Sequence, residues 1–237
     1  MNLCLVRPEE YLDESHFVLR GARKAHVAEL LGMGIGDQFF AGAINGLKGM
    51  ATVISLDGDD MLCKADFDHP PAPKPDVELI VALPRPKMLK RMLRTCAELG
   101  VRRVVLLNTW KVEKSYWQSP FLAEDIVREQ LLLGLEQAVD TQLPEVIIAK
   151  RFKPFVEDDL PLRLNGREGW LAHPGVSTAC PAAASTPRTL VIGPEGGFTS
   201  YEVDKLVAAG CQSFHLGTRI LRVETAVTTC IAKLILS

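Results

Sequence analysis

The chain has 237 residues, 47% of them hydrophobic and 24% charged, with a formal net charge of −2. That is ordinary globular composition, and it excludes a disordered tail protein, a collagen-like chain and a small disulfide scaffold. Residues 1–70 carry six Lys/Arg against eleven Asp/Glu, residues 74–117 ten against four, and residues 118–237 eleven against fourteen. The small total therefore averages an acidic start, a basic block and a mildly acidic remainder, and a polyanion feels the block rather than the total.

In chain order, the N-terminal stretch Met1-Asn2-Leu3-Cys4-Leu5-Val6-Arg7-Pro8 lacks the basic and apolar regions of a signal peptide. No apolar run approaches the ~20 residues of a membrane span, so the expectation is a cytoplasmic protein with no membrane partner. Short apolar pieces then alternate with turn residues: Asp37–Phe40, Gly49–Ile54, then Asp57-Gly58-Asp59. This pattern predicts a small β-rich domain with hairpins over residues 1–70. Gly32-Met33-Gly34-Ile35-Gly36 has the wrong spacing for a dinucleotide fingerprint and reads as a turn. Four prolines between Pro70 and Pro75 predict a stiff extended linker over 71–76.

From 77 to 237 strands and helices alternate, which predicts an α/β domain with a mostly parallel sheet. Strands are expected at Val77–Leu83, Val104–Leu107, Val146–Ala149, Gly169–Ala172, Thr189–Ile192 and Phe214–Leu216. Helices are expected from Met88 through Ala97 with Gly100 as the C′ residue, over Leu122–Val139, from Ser200 to Gly210, and over Val223–Leu236. Thr199 with Glu202 three residues on forms a capping box. The six cysteines, at 4, 63, 96, 180, 211 and 230, form no CxxC pair and the five histidines are isolated. The expectation is buried thiols and no metal site.

Three segments carry candidate chemistry. Gly193-Pro194-Glu195-Gly196-Gly197 follows an apolar strand and precedes a capped helix. A glycine loop there sits at the carboxyl end of a strand, where open α/β sheets bind ligands, and its backbone N–H groups are accessible. No Gly-Lys-Ser/Thr follows, so it is not a P-loop. The second segment, Leu216-Gly217-Thr218-Arg219-Ile220-Leu221-Arg222-Val223-Glu224-Thr225-Ala226, places two arginines and a glutamate among apolar residues, an arrangement that is costly in a core unless the charges are paired or used. The third, Leu171-Ala172-His173-Pro174-Gly175, is another strand end. His173 reads there as a loop residue whose backbone lies beside a ligand, with a general-base role as the alternative.

Together these motifs resemble the signature of the RsmE family, ribosomal RNA small-subunit methyltransferases of the SPOUT superfamily. The resemblance extends to Ala97-Glu98-Leu99-Gly100-Val101, to Glu136-Gln137 with Pro144-Glu145, and more faintly to His26–Asp37. It implies a PUA-like β-barrel at 1–70 that binds RNA, then a SPOUT domain at 77–237 with a deep trefoil knot. It also implies a homodimer, S-adenosylmethionine as cofactor without a metal, and methylation of N3 of a uridine in 16S rRNA of the small ribosomal subunit. The cofactor residues so implied are Leu171, His173, Pro174, Gly193, Glu195, Gly196, Gly197, Leu216, Gly217, Thr218, Arg219, Ile220, Leu221, Thr225 and Ala226. Arg222 is expected to stabilise charge developing on the uracil carbonyl, and Glu224 to orient that arginine or accept the imide proton. The basic block, with Arg85, Lys87, Lys90, Arg91, Arg94, Lys111 and Lys114, is the expected RNA face. The alternatives are a catalytically idle RNA- or ribosome-binding paralogue and a SPOUT methyltransferase acting on another RNA.

Some positions depart from the family pattern. Asp140 and Gln142 stand where arginines are usual, Gly32 replaces another arginine, and Phe40-Ala41-Gly42 replaces Phe-Asp-Gly. Lys111–Pro120, with Tyr116 and Trp117, has no counterpart in that pattern.

Overall fold

The computed structural model describes residues 2–234. The chain divides into two compact units. The first comprises residues up to Pro73 together with Leu135–Leu143, and the second comprises Lys74–Gly134 and the chain from Pro144 onward.

In the first unit β1 (Cys4–Val6), β2 (His16–Arg20), β3 (Gln38–Ala43), β4 (Lys48–Asp57) and β5 (Asp60–His69) form one sheet in the order β1-β3-β4-β5-β2. Only the β1–β3 pair is parallel. The β4–β5 hairpin closes over Gly58-Asp59, and Gly58 takes φ +49°, a conformation that favours a residue without Cβ. Inward residues, among them Phe17, Leu19, Val53, Met61 and Cys63, alternate along the strands and form the core of this unit. Helix α1 (Gly21–Ala25) and a following π-helical turn (His26–Leu30) cap it.

The second unit holds six parallel strands: β6 (Val77–Ala82), β7 (Arg103–Leu107), β8 (Glu145–Ala149), β9 (Glu168–Ala172), β10 (Arg188–Ile192) and β11 (Cys211–Phe214). Their order is β11-β9-β10-β6-β7-β8. β6 and β10 are buried at every position, as expected of parallel strands covered on both faces. Helix α2 (Pro86–Glu98) begins with Pro86, whose missing N–H is not needed in a first turn. It buries Leu89, Met92, Leu93, Cys96 and Ala97 and ends before Gly100 at φ +73°. Helix α3 (Glu124–Ala138) follows, then α4 (Phe152–Pro154), a π turn (Phe155–Asp159) and α5 (Leu160–Arg163). Helix α6 (Ser200–Ala208) starts at the Thr199/Glu202 capping box, and α7 (Val223–Leu234) is the last described element. Residues 235 and 236 of the expected last helix lie outside the described residues. Among the described residues no helix is long and apolar enough to cross a membrane.

Two expectations need correction. The strand expected at Phe214–Leu216 is instead Cys211–Phe214, and His215 makes only an isolated bridge to Ala179. The chain leaves the sheet there because Gly217 takes φ +112° and its N–H turns back to His215 Nδ1 at 2.9 Å. The second unit is also not one uninterrupted stretch, since Leu135–Leu143 groups with the first. Within the first unit Lys48 Nζ donates to the Val139 carbonyl at 2.6 Å and Thr141 Oγ1 to Gly46 O at 2.6 Å, while Arg23 lies 3.7 Å from Glu136. The segment begins inside α3, which ends at Ala138, and Val139 then takes φ +59°; the return rests on these distant contacts and not on a local pattern. The short helical turns over 152–163 bury Phe155, Val156 and Leu160.

Candidate active site

Four segments at the carboxyl ends of β9, β10 and β11 enclose a cavity of about 270 Å³. Ala172, His173 and Pro174 leave β9; Ile192 and the loop Gly193-Pro194-Glu195-Gly196-Gly197 with Phe198 leave β10. Phe214, His215, Leu216 and Gly217 leave β11, and Arg219, Ile220, Leu221, Val223 and Ala226 lead into α7. The walls are mainly apolar side chains and backbone. Gly197 (φ +68°) and Gly217 (φ +112°) have no heavy atom within 4 Å of where a Cβ would stand, so the backbone borders open space at both. Gly193 is needed for a different reason, since a Cβ there would stand 2.9 Å from the Phe198 ring.

The glycine loop is tied down from outside the cavity. Lys111 Nζ donates to the Gly196 carbonyl at 2.7 Å, and Arg85 lies 3.6 Å from the Glu195 carboxylate. Beyond the loop, Glu202 is 3% exposed and accepts from Thr199 N at 2.8 Å, from Thr199 Oγ1 at 2.9 Å and from Trp110 N at 2.7 Å. One buried carboxylate thus joins the start of α6 to the loop after β7, at a helix N-terminus where negative charge is favoured.

Of the expected cofactor residues, twelve line this cavity. Leu171 does not, being fully buried in β9, and neither do Thr218 and Thr225. Ala172, Pro194 and Val223, which stand inside the three motifs, also line the cavity, and the motifs missed Ile192, Phe198, Phe214 and His215. Ile192, Phe198 and His215 adjoin a motif residue, and placing the end of β11 at Phe214 would have found Phe214 and His215. The two expected catalytic residues separate. Arg222 is exposed beside the cavity, whereas Glu224 lines a second cavity of about 410 Å³ with Met88, Arg91, Met92 and Thr95 of α2.

The expected RNA face divides as well. Besides Lys111 and Arg85, Lys90 sits 3.9 Å over the Phe121 ring and Arg94 Nε donates to Gln130 Oε1 at 2.9 Å. Lys87, Arg91 and Lys114 are exposed and make no ion pair among the described residues. Five of the six cysteines are buried, and burial pushes the Cys96, Cys211 and Cys230 thiols up to about 12.

Comparison with known proteins places these features. Residues 70–235 match the family model of the RNA methyltransferase domain. A ribosomal RNA small subunit methyltransferase E from Treponema pallidum is 29% identical over 233 residues, covering 95% of this chain and 87% of that protein. The protein of the same name from Bacillus subtilis is 23% identical, with 89% and 86% covered. Among solved structures, a probable rRNA methyltransferase from Porphyromonas gingivalis superposes with a TM-score of 0.78 at 19% identity, covering 98% of this chain and 95% of that one. A methyltransferase from Legionella pneumophila, solved with bound S-adenosylmethionine, gives 0.75 at 21% identity with the same coverage. With its glycine loops gathered at one end of a parallel sheet and its sequence matched from linker to last helix, the chain belongs to the RNA methyltransferase domain family, as a member of its RsmE branch.

Proposed function

We propose that this protein transfers a methyl group from S-adenosylmethionine to N3 of a uridine in 16S rRNA. The observation that carries the reading is the cavity itself. Its apolar walls (Ile192, Phe198, Phe214, Leu216) suit a flat purine, and open backbone at Gly197 and Gly217 suits the polar edges of a nucleoside. Bound there, S-adenosylmethionine supplies an electrophilic methyl, and the protein supplies orientation and electrostatics.

Uridine N3 carries an imide proton that must leave, and stacked A-form RNA hides that edge, so the target base is single-stranded or flipped. Arg222, exposed beside the cavity, is the group assigned to the uracil carbonyl oxygen. Its charge favours the deprotonated imide and lets the N3 proton pass to water. Arg219, which lines the cavity, is the neighbouring cation. Glu224 faces the second cavity and is given no proton-transfer step here.

Three further readings accompany this one. The first unit is assigned as a PUA-like barrel. The second is assigned as a SPOUT knot, a reading supported by β9 lying between β10 and β11 and by the bonds of Ala184 N and Arg188 Nη1 to the Leu234 carbonyl. The protein is assigned as a cytoplasmic homodimer.

The test is transfer of labelled methyl to 16S rRNA by purified protein. Arg222→Ala should lose on the order of 10²-fold or more in kcat, the scale for removing one transition-state donor, with unchanged calorimetric affinity for S-adenosylmethionine. A wild-type rate for that variant would remove Arg222 from the mechanism. Cofactor binding without methyl transfer to any RNA by the wild-type protein would support an idle paralogue instead.

A further inference from the structure

Three tryptophans lie in the second unit, and two of them are accounted for. Trp117 Nε1 donates to Asn108 Oδ1 at 2.8 Å, and Trp170, 9% exposed, donates to Glu168 Oε2 at 3.0 Å. Trp110 differs. It is 84% exposed, and its indole has no hydrogen-bond, aromatic or cationic partner among the described residues. A single exposed apolar residue is common on protein surfaces and by itself signifies nothing. What sets Trp110 apart is the rigidity beneath it and the place where it stands.

Its backbone N–H is held at 2.7 Å by the buried Glu202 carboxylate. Its flanking loop is anchored on both sides. Thr109 and Val112 are 5% and 8% exposed, and Val112 N donates to Thr109 O at 3.1 Å. Asn108 N donates to the Ala149 carbonyl at 2.9 Å. The next residue, Lys111, crosses to the glycine loop; a Cβ on Gly196 would stand 3.0 Å from Lys111 Cδ. Trp110 is therefore one residue from a side chain that touches the cavity rim, on a fixed backbone, with an uncommitted ring. Lys111 and Lys114 bring positive charge to the same loop.

We infer that Trp110 is the stacking platform for an unstacked pyrimidine of the RNA substrate, beside the methyl-donor cavity. The inference rests on the proposed reaction, which requires a base taken out of its stack. An extruded base loses both π-face neighbours, and an indole already fixed in place returns one of them with little ordering cost. Arginine or lysine can attract the backbone of any RNA, whereas an aromatic face accepts the base itself.

Two measurements test the inference. In the first, the accessibility of Trp110 to acrylamide is followed by fluorescence, comparing wild type with Trp110→Phe, before and after adding a single-stranded oligonucleotide containing uridine. Trp110 should be the most accessible of the three tryptophans without RNA and become shielded or quenched with it. A ring already shielded without RNA, covered by a second copy of the chain or by the protein's own surface, would overturn the inference. So would an emission unaltered by the oligonucleotide. In the second, Trp110→Ala should lower kcat/KM for RNA by about 5- to 150-fold, the range for one aromatic–base stack. Trp110→Phe should recover most of that, and affinity for S-adenosylmethionine should stay within about twofold of wild type. RNA kinetics unchanged in Trp110→Ala would refute the platform. Because the fluorescence test needs no turnover, it decides the role of Trp110 even if no uridine is methylated, while methylation by wild type separately decides the proposed reaction.

Discussion

Glu202 gives the sharpest test of how the site is held. Its carboxylate is 3% exposed and accepts three bonds, two from backbone N–H groups of Trp110 and Thr199 and one from the Thr199 hydroxyl. Replacement by alanine removes the returning half of the capping box, a loss of about 1 kcal/mol for such caps. It also strands the Trp110 N–H, whose bond to a charged acceptor is worth about 1.5–3 kcal/mol. Partial access of water to both donors offsets some of this, so Glu202→Ala should destabilise the second unit by about 3 kcal/mol. Glu202→Gln keeps the shape and one acceptor oxygen and should lose roughly half as much. Urea unfolding followed by tryptophan fluorescence reads this directly, because Trp110, Trp117 and Trp170 all lie in the second unit. A shift below about 1 kcal/mol for the alanine variant, or equal losses for both variants, would refute the reasoning that this carboxylate clasps loop and helix together.

Three further outcomes follow from packing and burial. Gly134→Ala places a Cβ against the Arg94 carbonyl and 2.8 Å from Ala97 Cβ, where α3 meets α2. It should cost about 1–3 kcal/mol by overpacking, measured as a lowered urea midpoint, and an unchanged midpoint would contradict that close helix contact. Burial raises the Cys96, Cys211 and Cys230 thiols from 9.0 to about 12. Above pH 9 the unfolded chain has lost those protons while the folded chain keeps them, so stability should fall as pH rises from 9 towards 12. Comparing urea midpoints at neutral pH and at about pH 10 checks the sign; a midpoint that rises would contradict it. In the folded protein Cys180, which is half-buried, should react with a thiol reagent before the other five.

The site's location was legible because it is made of local signals. The Gly193–Gly197 loop, the Thr199/Glu202 box and the Leu216–Ala226 segment each announce a strand end or a helix start, and the structure gathers most of them around one cavity. What was not legible depends on contacts distant in sequence. Lys111 and Arg85 belonged to a basic block that suggested phosphate, yet their partners, Gly196 and Glu195, stand about a hundred residues on, where the topology returns the chain to the same sheet end. Glu202 looked like an ordinary capping residue, and only the fold discloses that its second oxygen holds Trp110. Glu224 sits two residues from Arg222, but the first turn of α7 rotates it towards α2. Likewise, Leu135–Leu143 joins the first unit through hydrogen bonds to Asn45, Gly46 and Lys48, which no local pattern encodes.

The central claim is that this cavity serves methylation of a uridine at N3 in 16S rRNA. Mass mapping of 16S rRNA from cells with and without the gene tests it most directly. The account predicts the loss of one N3-methyluridine in the cells lacking it, restored by the wild-type protein and not by Arg222→Ala. Identical modification maps in the two strains would contradict it.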